Sequence, residues 1–183
     1  NAAVSAARLG LSSALIANIG DDQSGKENIE VLEKDNVITE YVKVNEGKVS
    51  NYHYVLWYED ERTILVKHQE YQYSLPEMNA PKWIYLSSLA ETALSYHDDI
   101  AAYLKNHPET KLVFQPGTFQ MKLGYEKLKE IYLRTEIFFC NVEEARRILG
   151  TEEREIGALL KMMRDLGPKI IIITDGPKGS YGF

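Results

Sequence analysis

Thr174-Asp175-Gly176-Pro177-Lys178-Gly179 follows directly on four consecutive isoleucines, Ile170 to Ile173. A β-branched run too short for a helix has the pattern of a strand buried on both faces of a parallel sheet. In open α/β sheets ligands bind outside the carboxyl ends of the strands, so a threonine and two glycines just past such a strand stand where a nucleotide would. The same six residues also suit a tight turn into a hairpin, and the sequence leaves both readings open. A second group is Asn141-Val142-Glu143-Glu144. Asn141 follows a strand-like run and precedes a helical one, so it can cap the first turn, and Glu144 three positions on completes a capping box. A carboxylate at the carboxyl end of a strand is also placed to hold a hydrated magnesium ion.

Composition narrows what such groups can serve. A chain of 183 residues is one large domain or a domain with an appendage, with room for a substantial core. Apolar residues make up 44% and charged residues 26%, the proportions of a soluble globular protein. A formal net charge of −6 gives no basic footprint, so neither nucleic acid nor an anionic membrane is expected as a partner. The single cysteine, Cys140, lies in an apolar run and reads as a buried, inert thiol in a reducing, cytoplasmic setting. His53, His68, His97 and His107 are scattered without the pairing of a zinc site. No segment reaches the ~18 apolar residues of a membrane span. The chain opens on Asn1-Ala2-Ala3-Val4, without a basic leader and as if within a helix or its cap.

The elements that must hold these groups can be read in order. Ala2 to Leu9 is helical and stops at Gly10; Leu15 to Ile19 is a short strand; Gly20 to Gly25 is a turn that opens a helix over Lys26 to Lys34. Val49 to Tyr58 and Thr63 to Lys67, joined by Glu59-Asp60-Glu61-Arg62, predict a β-hairpin. Tyr52, Tyr54, Trp57 and Tyr58 leave neither of its faces polar. That suits a flap covering a site on one side and a second subunit on the other, although an ordinary edge hairpin also fits. Beyond Pro76 and Pro81, strands at Trp83 to Leu86, Leu112 to Gln115, Ile137 to Cys140 and Ile170 to Ile173 alternate with helices. The helices are predicted at Ala93 to Leu104, Tyr125 to Leu133, Val142 to Leu149 and Glu152 to Leu166. This alternation predicts right-handed βαβ units on a parallel sheet.

Four segments in this order make the chain resemble the ribokinase-like, or PfkB, family of carbohydrate and nucleoside kinases. Asn1-Ala-Ala-Val-Ser-Ala-Ala-Arg-Leu-Gly followed by Ile19-Gly20-Asp21-Asp22-Gln23-Ser24-Gly25 is similar to the family's N-terminal signature. Asp60-Glu61-Arg62-Thr63-Ile64 falls where the family has its lid. Asn141-x-x-Glu144 with Ala145 to Gly150, and Thr174-x-Gly176-x-x-Gly179, are similar to its two nucleotide-side motifs.

The resemblance implies an α/β fold, a three-layer sandwich with a mainly parallel sheet flanked by helices plus a small β-hairpin lid. Residues 1–36 and 80–183 would form the nucleotide- and sugar-binding core and residues 37–75 the lid. It further implies ATP-dependent phosphorylation of a hydroxymethyl group on a sugar or nucleoside, with ATP and magnesium as cofactors. By position Asn1 and Gln115 would meet the acceptor, Asn141 and Thr174, Asp175, Gly176, Pro177, Lys178 and Gly179 the nucleotide, and Glu144 the metal. The aromatic lid hairpin would serve a homodimer. The family's Gly-Ala-Gly-Asp motif, which carries its catalytic base, does not occur here, so the chain reads as an internal part of a longer kinase and no catalytic residue is assigned. A non-catalytic nucleotide- or sugar-binding regulator and a dimerisation module are the alternatives.

Overall fold

The computed structural model describes residues 1–59, 61–67 and 69–183, with the side chains of residues 61, 66 and 67 also excluded. The expectations placed on Asp60, on His68 and on the Glu61 side chain therefore lie outside the described residues. The chain divides into two compact units, Asn1–Pro76 and Glu77–Phe183.

In the first unit helix α1 (Ala2–Arg8) ends at Leu9 and Gly10, as its alanine-rich composition predicts. Strand β1 (Ala17–Gly20) leads into α2 (Gln23–Lys34), which starts three residues earlier than expected because Asp22 caps it, its side chain accepting the Gly25 N–H at 3.0 Å. Arg8 joins the ends of the two helices through a two-pronged pair with Asp35 at 2.8 and 2.9 Å. Strand β2 (Val42–Asn45), absent from the sequence reading, runs parallel to β1 with Ala17 opposite Val42 and Gly20 opposite Asn45. Four residues with two valines are too few to declare a period, and the partner lies 25 positions away. Strands β3 (Tyr52–Tyr58) and β4 (Glu61–Lys67) form the expected hairpin as a separate two-stranded sheet, with Tyr52 opposite Lys67 and Tyr58 opposite Glu61. Every residue of β3 is exposed, Trp57 at 67% and Tyr58 at 75%.

The second unit is built on a five-stranded sheet of sequential order. Strands β5 (Trp83–Leu86), β6 (Lys111–Phe114), β7 (Thr135–Asn141) and β8 (Ile170–Thr174) are all parallel, and β9 (Ser180–Gly182) closes the edge antiparallel to β8. The crossovers carry α3 (Leu94–Asn106), α4 (Thr118–Leu123), α5 (Tyr125–Arg134), α6 (Val142–Leu149) and α7 (Ile156–Asp165). When strand order is sequential, right-handed crossovers lay every helix on the same face. Burial follows that rule. Leu112, Phe114, Phe138, Cys140, Ile171 and Ile173 alternate onto one face and are closed to solvent, with Phe114, Tyr132 and Phe138 packing as rings 5.3 to 5.5 Å apart. On the other face Val113, Ile137, Phe139 and Ile172 are half-buried. Two-sided burial of the isoleucine run is thus corrected: Ile171 and Ile173 are at 0% exposure, whereas Ile170 is 42% exposed.

Two further differences have local causes. Helix α4 was not expected after Pro116-Gly117; it forms because Gln120 turns back and accepts the Gly117 N–H at 2.7 Å. Helix α7 begins at Ile156 rather than Glu152 because the Glu153 carboxylate accepts the N–H groups of Arg154 and Glu155 at 2.7 and 2.9 Å, holding that stretch in a loop. Among the described residues no helix is long and apolar enough to cross a membrane. Because Phe138 lies at the centre of the ring cluster, Phe138→Ala is expected to cost about 3–5 kcal/mol in a urea melt; a loss below about 1 kcal/mol would place the core elsewhere.

Candidate functional site

Four parallel strands in sequential order point their carboxyl ends at one rim, and the candidates Gln115, Asn141 and Thr174 lie at those ends. After β5 come Ser87 and Ser88, after β6 Gln115 to Gly117, at the end of β7 Asn141, and at the end of β8 Thr174. Cys140 is opposite Ile173 and Asn141 opposite Thr174 in the β7–β8 ladder, so the Asn141–Glu144 and Thr174–Gly179 segments begin side by side.

Asn141 and Glu144 form the reciprocal box that their spacing predicts. The Asn141 side-chain oxygen accepts the Glu144 N–H at 2.8 Å, and Glu144 Oε2 accepts the Asn141 N–H at 2.8 Å. These bonds use two of the donors that a helix start leaves without partners. Glu144 Oε1 has no protein donor among the described residues, and Glu144 itself is half-buried at the rim. A carboxylate oxygen without a protein donor beside a strand end fits a hydrated magnesium ion, which takes one or two carboxylates and fills its other positions with water and phosphate oxygens.

The turn after β8 realises the hairpin reading. Gly176–Lys178 is one 3₁₀ turn, the Asp175 N–H donates to the Gly179 carbonyl at 2.8 Å, and the chain returns as β9 with Ser180 opposite Thr174. Gly176 and Gly179 have φ of 50° and 97°, backbone that a Cβ would strain. Lys178 reaches Asp175 at 3.2 Å, its side chain largely exposed. A nucleotide reading and a hairpin reading therefore share one structure: a tight, Gly-hinged loop whose outer surface is open to solvent.

Gln115 is exposed, its N–H bonded to the Leu86 carbonyl at 2.9 Å and its side-chain oxygen accepting from the Tyr85 hydroxyl. Tyr85 was not picked out from sequence; thirty residues separate the pair. Asn1 is exposed at the start of α1, makes no side-chain cap bond, and belongs to the other unit. Cys140 is buried as expected, and burial pushes its thiol up to about 12, which keeps it protonated and inert.

Within the first unit, the Gly20-Asp21-Asp22 segment has a structural task that the sequence did not reveal. Asp22 Oδ1 accepts from the Ser50 hydroxyl at 2.6 Å and from the Gly25 N–H at 3.0 Å, Oδ2 accepts the Ser50 N–H at 3.1 Å, and Ser50 Oγ accepts the Gly20 N–H at 3.0 Å. Ser50 is buried two residues before the hairpin begins, so this carboxylate clamps the hairpin's base to the β1–α2 turn. Gly20 makes room for it: a Cβ there would lie 2.3 Å from the Lys48 carbonyl oxygen.

The Ser50 hydroxyl bond, with the two backbone donors behind it, holds the Asp22 carboxyl below its ordinary value of 3.8 despite partial desolvation. A depressed carboxylate stabilises the fold in full above its unfolded pKa and loses that contribution as pH falls through the folded one. The amide protection factor of Ser50 is therefore expected to hold above pH 3.8 and to fall at more acid pH. In Asp22→Asn it should be low throughout, since the amide NH2 would face a donor. Equal protection in the variant at neutral pH would show that the clamp does not hold the hairpin base.

The pfkB family carbohydrate kinase profile matches residues 1–183. An ATP-dependent 6-phosphofructokinase of Thermoanaerobacterium thermosaccharolyticum is 24% identical over 201 residues, covering 98% of this chain and 59% of its own length. Among solved structures, Arabidopsis thaliana ribokinase complexed with ribose and ATP superposes with a TM-score of 0.79 at 19% identity, covering 99% of this chain and 61% of that one. Vibrio cholerae fructokinase with fructose, ADP and calcium ion bound gives 0.78 at 18% identity, covering 99% and 63%. The fold is accordingly the ribokinase-like α/β architecture with a mainly parallel sheet, and the chain spans about three fifths of these relatives' length.

Proposed function

The chain belongs to the pfkB family of carbohydrate kinases, and from that premise we propose that the intact protein catalyses ATP-dependent phosphorylation of a hydroxymethyl group on a sugar or related small molecule. The observation that carries this reading is the register of β7 on β8, which sets the Asn141–Glu144 box beside the Thr174–Gly179 turn on a common rim. Relatives of this fold bind ribose with ATP and fructose with ADP, which supports a sugar acceptor and an adenine nucleotide donor.

In this reading Thr174 to Gly179 and Asn141 bind the nucleotide, Gln115 and Asn1 meet the acceptor, and Glu144 holds magnesium through water. Bound magnesium would neutralise phosphate charge as the phosphoryl group transfers. The protein's own task is then to align donor and acceptor and to exclude water, which competes as a phosphoryl acceptor. Residues 1–36 and 80–183 act as the binding core and residues 37–75 as the lid that closes over it. The lid hairpin, with Tyr54 and Tyr58 exposed on one face and Trp57 on the other, suits a second copy in a homodimer. A cytoplasmic setting suits the ATP requirement and the reduced Cys140.

Magnesium-dependent phosphate transfer from ATP to at least one member of a sugar and nucleoside panel is the expected result for the intact protein; transfer to none of them overturns the kinase reading. The 183-residue chain alone is expected to transfer none, since it contains no Gly-Ala-Gly-Asp sequence to supply the family's base. Glu144→Gln separates cap from metal site. Glutamine keeps the capping box, so stability should change by less than about 0.5 kcal/mol, while the magnesium concentration for half-maximal rate should rise several-fold. An unchanged magnesium requirement would leave Glu144 a cap only.

A further inference from the structure

His97 and Gln120 are both closed to solvent at 1% exposure, and neither belongs to the motifs discussed so far. His97 lies on α3 and Gln120 on α4, with their Nε2 atoms 3.0 Å apart. Their protonation follows from their partners. His97 Nδ1 lies 2.6 Å from the Ala93 carbonyl, which only accepts, so Nδ1 carries the proton and Nε2 is the acceptor. Gln120 Oε1 accepts the Gly117 N–H at 2.7 Å, and its Nε2 donates to the Ser87 carbonyl at 3.1 Å and to His97. Every hydrogen of the carboxamide is used, so its orientation is fixed without ambiguity. Burial lowers the His97 pKa and keeps the ring in the neutral form this network needs.

The two backbone groups held by Gln120 belong to the first residue after β5, Ser87, and to the last residue of the loop after β6, Gly117. Those loops touch so closely that a Cβ on Gly117 would sit 2.0 Å from Ser88 Oγ. Gln115 stands two residues before Gly117 with its oxygen engaged by Tyr85, so its Nε2 is the group left to donate outward at the rim.

We propose that His97 and Gln120 form a positioning pair, buried beneath the rim, that locks the Ser87–Ser88 and Gln115–Gly117 loops together and so fixes where Gln115 presents its amide to the acceptor. The pair touches no substrate. It acts through Gly117 and Gln115, and it rests on the kinase reading only where the acceptor is concerned.

In the intact protein Gln120→Leu and His97→Phe are each expected to raise the acceptor KM about tenfold, the size of one misplaced hydrogen bond, with the ATP KM within about twofold. The double variant should be no worse than Gln120→Leu, because both changes cut one network. A purely structural role would lower the active fraction, and with it the apparent kcat, while leaving both KM values alone. That result, or a parallel rise of both KM values, overturns the proposal. Two measurements on the unsubstituted protein need no variant to fold: nitrogen NMR of His97 should show the Nδ1-protonated neutral ring, and the Gly117 amide should exchange slowly. An Nε2-protonated ring or a freely exchanging Gly117 amide overturns the pair. Should the intact protein phosphorylate no sugar, the kinase reading falls, and these two observations alone decide whether the pair locks the loops.

Discussion

Everything at the rim depends on β7 and β8 ending in step. The register is held from below, by Phe138, Cys140, Ile171 and Ile173 alternating onto a face with no solvent access. A slip of one residue would take these close-packed side chains out of the core and put Ile137, Phe139, Ile170 and Ile172 from the half-open face in their place, so it is the fit of the packing, and not apolar character alone, that fixes the pairing. Asn141 and Thr174 are neighbours because the residues three and one positions earlier are packed. The chemistry at the top of the sheet is positioned by oil at its centre.

The capping box and the proposed metal site share Glu144, and the arrangement leaves room for both. Capping uses the Asn141 side-chain oxygen and one oxygen of Glu144, each turned along the helix. A carboxylate has two oxygens, and the second is left without a protein donor among the described residues. A similar economy appears in Asp22, whose two oxygens cap α2 and grip the start of the hairpin together. In both places a residue that sequence reads as local punctuation also joins two elements.

Much of this was legible beforehand, for identifiable reasons. Helix α6 was placed residue for residue because cap, apolar stripe and Gly150 all agree on its limits. The strands of the second unit carry runs of apolar, mostly β-branched or aromatic residues too short to be helices, and alternation with helices gave the parallel sheet. What escaped was non-local. Strand β2 exists because of a partner far back in the chain, and the half-open second face of the sheet depends on crossover handedness acting on all strands at once; the delayed start of α7 is the local exception, set by one glutamate side chain folding back on the next two residues. At the candidate site, Asn141, Glu144 and the Thr174–Gly179 turn are contiguous motifs and could be read, whereas Tyr85, His97, Gln120 and Ser50 meet distant partners across 23 to 33 residues and left no trace in any short window.

The chain has two tryptophans, and the fold puts one in each unit: Trp57 on the open hairpin and Trp83 on the edge strand β5. Each stands beside a cation, Arg62 with its guanidinium 6.0 Å from the Trp57 ring and Lys111 with its ammonium 5.1 Å from that of Trp83. Replacing either indole by phenylalanine leaves a single emitter, whose colour and accessibility to a quencher then follow one unit at a time. The protein thus carries its own pair of optical labels, and the hairpin's encounters with anything that shields it can be watched without attaching a dye.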